Sequence, residues 1–161
     1  MSYMDNNQMI FNLQLACKNL NDIPNQDKIN LWLKKIFFFQ TKKIELTIRI
    51  VEAQEMTRLN WRYANKNYPT NVLSFPCNLP IKTKSLLLGD IVICKEIIEY
   101  EACQNNISPV EIHWAHIIIH GSLHLLGYDH LFEEQAKIMA QKELNIIKKI
   151  GYQTCCSLNH N

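Results

Sequence analysis

At 161 residues the chain has room for one domain and too little for two well-built ones, since domains cluster near ~100–150 residues. Hydrophobic residues make up 47% of it and charged residues 20%, ordinary globular usage that excludes a disordered tail or a low-complexity scaffold. The formal net charge of +2 does not announce a nucleic-acid binder, but residues 1–80 carry 10 Lys/Arg against 6 Asp/Glu and residues 81–161 carry 7 against 9, so the first half is the better anion-facing side.

The opening Met1-Ser2-Tyr3-Met4-Asp5 lacks the basic segment and apolar core of a secretory signal. No stretch approaches the ~20 apolar residues that span a bilayer, so a soluble cytoplasmic protein without a membrane partner is expected. Between residues 25 and 39, Ile29, Trp32, Leu33, Ile36 and Phe37 fall at i, i+3, i+4, i+7 and i+8, the stripe of a helix packed on a core. Residues 44–50 switch to strict alternation, with all the aliphatics on one face of a half-buried strand. Residues 53–66 read as helix again. Pro69 and Asn71 break it before a short strand over 72–75, which Pro76 stops. Residues 86–94 are apolar enough for a central strand, interrupted only by Gly89-Asp90.

Pro109 is placed to open a long helix, with Ser108 as its N-cap, Glu111 in its first turn and Gly127 as its stop after about Leu126. A last helix, residues 133–149, carries Ala136, Met139, Ala140, Leu144 and Ile147 on one side and ends before Gly151. The predicted fold is a single α/β (α+β) domain over residues 1–161 with its core at 25–150. It has a small mixed sheet covered by about five helices. The six cysteines, Cys17, Cys77, Cys94, Cys103, Cys155 and Cys156, form no C-x-x-C pair and are expected to be free thiols. Four glycines are too few for a phosphate-cradling loop.

Five of the six histidines lie between residues 113 and 130. On a helix His120 and His124 are one turn apart on one face, with β-carbons ~5–6 Å apart, which suits two imidazoles on one tetrahedral metal. Gly127 lets the backbone turn back so that His130 can supply a third ligand. Three protein ligands with an open fourth position is the catalytic pattern for one zinc ion per chain. His113 and His116 read instead as polar core residues, or as support for the ligands through the other ring nitrogen.

The spacing matches the long metalloprotease motif H-E-x-x-H-x-x-G-x-x-H except that Gly121 stands where that motif has its general base. Ordinary zinc peptidase chemistry is therefore disfavoured. Three neutral imidazoles leave the charge of a divalent metal uncompensated, which suits an anionic phosphodiester, so phosphoester hydrolysis leads.

The segment His120-Gly121-Ser122-Leu123-His124-Leu125-Leu126-Gly127-Tyr128-Asp129-His130 closely resembles the signature of the YbeY family of bacterial rRNA maturation factors. Leu59-Asn60, Tyr63, Lys66, Pro69-Thr70-Asn71-Val72-Leu73-Ser74-Phe75-Pro76, Leu88-Gly89-Asp90-Ile91 and Trp114-Ala115-His116 stand in that family's order. The resemblance implies a single-strand-specific, metal-dependent endoribonuclease. It also implies action on the 16S rRNA precursor of the small ribosomal subunit, in 3′-end maturation and ribosome quality control. By the same similarity His120, His124 and His130 match the zinc ligands.

One departure is that Ala64 stands where the family typically has Arg after the Tyr of Leu-Asn-x-x-Tyr. Arg58, Arg62 and Lys66 at i, i+4 and i+8 are candidates to track an RNA backbone, against the alternative of a solvated charged face. Ser74 either lines a substrate groove or fills a strand. Asp90 is read as a strand anchor in the core and Asp129 as the residue that orients the turn before His130. The general base is unassigned. Two rival readings are a zinc peptidase with its base supplied from elsewhere, and a ribosome-associated factor with weak or lapsed cleavage, motivated by Ala64.

Overall fold

The computed structural model describes residues 9–78 and 85–153; Cys155 and Cys156 lie outside the described residues. The chain forms β1 (Met9–Ala16), α1 (Gln26–Ile36), β2 (Lys43–Val51), α2 (Ala53–Ala64), β3 (Val72–Pro76), β4 (Ser85–Cys94), α3 (Lys95–Gln104), α4 (Glu111–Leu125) and α5 (Glu133–Ile150). This is the expected α/β class, a small mixed sheet with five helices among the described residues.

The sheet order is β1-β2-β4-β3, with β1, β2 and β4 parallel and β3 antiparallel on the edge beside β4. The period-2 pattern of β2 places Ile44, Leu46, Ile48 and Ile50 on the face that α1, α4 and α5 cover, where Trp114, Ile118 and Ile119 of α4 are fully buried. Each such aliphatic contributes about 1.5–3 kcal/mol by leaving water. Val92 and Cys94 alternate to the opposite face and pack with Val51, Met56 and Leu59 against α2.

Edge strand β3 therefore faces two ways. Ser74 points toward α4, where its hydroxyl donates to the Gly121 carbonyl at 3.0 Å, while Phe75 points toward α2 and meets the Tyr63 ring edge-on at 4.9 Å. That contact explains Gly121. A Cβ there would lie 2.9 Å from Ile91 Cγ2, 3.2 Å from Ser74 Oγ and 3.3 Å from Val72 Cγ2, so the missing side chain is what lets α4 lie close on the sheet. A glutamate at this position would be driven into the core, away from the histidines.

Several expectations are corrected. Strand β1 has no counterpart among the elements expected from the sequence. Helix α4 begins at Glu111, not at Pro109: the Ser108–Pro109 peptide is cis, the segment forms a turn in which Ile112 N–H donates to Pro109 O at 3.1 Å, and no side chain caps the helix. Helix α2 ends at Ala64 because Asn65 adopts the left-handed conformation (φ 58°), so Lys66 leaves the helical face that Arg58 and Arg62 share. Asp90 is exposed on β4, not within the core.

Candidate metal centre

The C-terminal half of α4 supplies the first two imidazoles. His120 and His124 are one turn apart, half-buried, with ring centroids 4.6 Å apart and their Nε2 atoms at 3.1 Å. Past Leu125 the helix closes with a Schellman turn: Gly127 (φ 92°) donates to His124 O at 3.0 Å and Tyr128 to Leu123 O at 3.0 Å. Positive φ at Gly127 reverses the chain, the Lys142 ammonium lies 4.9 Å from the Tyr128 ring, and Asp129 Oδ1 accepts the His130 N–H at 2.7 Å. The turn thereby brings exposed His130 to within 5.5 Å of the His120 ring and 5.1 Å of the His124 ring.

One ring nitrogen from each of the three histidines lies within 4.8 Å of the others. Two nitrogens ~2.0–2.1 Å from a tetrahedral zinc ion stand about 3.3 Å apart, close to the spacing between His120 and His124, so the donor set fits such an ion. The described thiols offer no competing ligand at this site. Burial, with Glu52 adding to it, pushes the Cys17 thiol up to about 11, and burial also raises that of Cys94.

Two acidic groups that sequence reasoning missed support α4 from below. Glu143, buried on α5, places Oε1 2.5 Å from His120 Nδ1 and Oε2 3.5 Å from His116 Nε2. Glu101 of α3 accepts from His113 Nε2 at 2.7 Å and from Asn71 Nδ2 at 3.2 Å. Burial works to raise the Glu101 carboxyl, but the bonds from His113 and Asn71 outweigh it and hold it below the usual range. The signal for Glu143 is a carboxylate on the buried α5 stripe Met139–Glu143–Ile147, spaced i, i+4, i+8.

Burial lowers His116 despite the pull of Glu143, and burial with the neighbouring His120 and His130 lowers His124. Both rings are neutral above their depressed folded values, so between those values and the ordinary histidine value, ~6.5, the unfolded chain takes up protons that the folded chain refuses. The metal-free protein should therefore lose stability as pH falls from 7 to 5, read as a dropping thermal midpoint; a flat or rising midpoint contradicts the assignment.

The remaining candidates stand apart from the cluster. Arg58 and Arg62 are exposed on α2, across the sheet from α4, with the Arg62 guanidinium 5.5 Å from the Tyr63 ring centroid; Lys66 is exposed after the helix end. Ser74 is committed to the Gly121 carbonyl, and Ala64 is exposed near the α2 terminus. The edge strand β3 lies between these cations and the metal helix. No helix among the described residues is long and apolar enough to cross a membrane.

The model of the family described as Endoribonuclease YbeY matches residues 14–151. The chain is 62% identical over 151 residues to Endoribonuclease YbeY of Blochmanniella floridana, covering 94% of this chain and 98% of that one. It is 54% identical over 157 residues to the protein of the same name from Blochmanniella pennsylvanica, covering 98% and 99%. The solution structure of TM1509 from Thermotoga maritima shares the fold, with a TM-score of 0.62 and 23% identity over 88% of this chain and 89% of that one. A family match over residues 14–151, with relatives 54% and 62% identical across nearly the whole chain, means that the chain belongs to the endoribonuclease YbeY family.

Proposed function

We propose that this chain, acting as one domain over residues 1–161, is a single-strand-specific, zinc-dependent endoribonuclease of the cytoplasm. Its substrate is the 16S rRNA precursor on the small ribosomal subunit, where it serves 3′-end maturation and ribosome quality control. The observation that carries the reading is the convergence of His120, His124 and His130, with His130 open to solvent so that a substrate phosphate can approach. Bound there, a divalent cation stabilises charge on a phosphoryl oxygen and acidifies water. The chain's own contribution is to hold three uncharged donors on a rigid helix and a pinned turn. Gly121, closed against the sheet, argues against a peptidase that would need a carboxylate there.

Purified protein should cut single-stranded RNA, leave duplex RNA and casein intact, and lose its cutting with chelator; proteolysis of casein that His124→Ala removes would favour the peptidase. Arg58 and Arg62 are assigned to backbone phosphates. Replacing both with alanine should raise KM several-fold with kcat little changed and lower the salt dependence of binding by about one unit for each phosphate that goes unneutralised. An unchanged salt slope would return them to a solvated face.

Ala64 favours a second reading, a ribosome-associated factor whose cleavage is weak or lapsed. If neither the native chain nor Ala64→Arg cuts RNA while both bind small ribosomal subunits, that reading replaces the first.

A further inference from the structure

We propose that Glu143 is the positioning residue of the metal centre, setting the tautomer and orientation of His120 from the far side of the ring; this rests on the metal reading above. Glu143 projects from the core face of α5 between Met139 and Ile147 and is 5% exposed. A carboxylate is costly to bury at such a position unless imidazoles or other donors satisfy it.

Its two oxygens divide their work. Oε1 lies 2.5 Å from His120 Nδ1, which places the ring proton on Nδ1 and leaves the lone pair on Nε2. Nε2 is the atom that faces His124 Nε2 at 3.1 Å, on the metal side. Oε2 lies 3.5 Å from His116 Nε2, one turn earlier on α4, so that ring helps keep the carboxylate from swinging away. A single side chain of α5 thus holds two successive turns of α4, and His116 acts on the metal through Glu143. The anion also offsets part of the positive charge that three neutral imidazoles leave uncompensated.

The test is zinc affinity of the full-length protein, measured by chelator competition, beside the unfolding midpoint of the metal-free form. Glu143→Gln keeps size and one acceptor oxygen but removes the charge; it should weaken zinc binding about 10–100-fold while the metal-free midpoint moves little. The visible bands of the cobalt-substituted protein should shift as His120 loosens. His116→Leu, which leaves the carboxylate present but less restrained, should give a smaller loss of affinity, and it decides the matter if the Gln variant does not fold. Wild-type zinc affinity and an unchanged cobalt spectrum in both variants would overturn the proposal and make Glu143 a core residue only. If His130→Ala also left zinc binding intact, the metal reading itself would fall; a loss confined to His130→Ala would sink the role of Glu143 alone.

Discussion

Replacing His124 with alanine is expected to lower single-turnover cleavage of single-stranded RNA by about 10³-fold or more. A Lewis-acid metal supplies several kcal/mol of charge stabilisation, and about 4 kcal/mol corresponds to that factor. His124 stands at the middle of the triad in the chain, its Nε2 3.1 Å from that of His120 and its ring 5.1 Å from that of His130. Without it, His120 and His130 are left as a two-ligand remnant. The fold should survive. His124 is only half-buried, whereas Trp114, Ile118 and Leu123 carry the packing of α4. Circular dichroism matching the native chain, together with abolished cleavage, is the expected pair of results; cleavage within tenfold of native would show that the metal centre is not where the reaction occurs.

The second large effect is structural. Gly89→Ala should destabilise the protein by about 3 kcal/mol or more, because strained backbone and overpacking each cost roughly 1–3 kcal/mol. Gly89 sits at φ 129°, where the β2–β4 register shifts beside Glu45 and Leu46. A Cβ would stand 2.1 Å from the Phe75 carbonyl oxygen and 2.9 Å from the Cys77 nitrogen. Both are backbone atoms of the segment paired with β4, so no rotamer change relieves the clash. The edge strand would have to move, taking with it the Ser74 hydrogen bond that seats α4 at Gly121. Urea unfolding measures this directly, and a loss below about 1 kcal/mol would mean that β3 adapts freely.

Much of the fold is legible in the sequence because its core elements have clean periods. Ile44, Leu46, Ile48 and Ile50 alternate without exception, and the α1 stripe from Ile29 to Phe37 is buried as its spacing requires. Strand β1 carries a signal too short to stand out: Phe11, Leu13 and Leu15 alternate with Asn12 and Gln14, but only over five residues, and on this edge strand Ile10 and Leu15 are left about half exposed. The start of α4 is displaced from its expected position because Pro109 sits in a turn closed by the Ile112 N–H on its carbonyl, a state that its residue type alone does not announce. The shared face of Arg58, Arg62 and Lys66 fails one residue beyond the helix, at Asn65, where left-handed geometry ends it.

The histidine triad is legible for the opposite reason. All three rings lie within one helical turn and one glycine reversal, so local geometry alone brings them together. Glu143, 23 residues from its partner His120, arrives by tertiary packing of α5 on α4, and only its place on an otherwise apolar stripe hints at it.

X-ray absorption at the zinc edge, on protein loaded with one equivalent of zinc, tests the account most directly. Three nitrogen neighbours at about 2.0–2.1 Å with the imidazole scattering pattern, and one further light atom, are predicted; His130→Ala should remove one of the three. Sulfur at about 2.3 Å, or an imidazole count that His130→Ala leaves untouched, would contradict it.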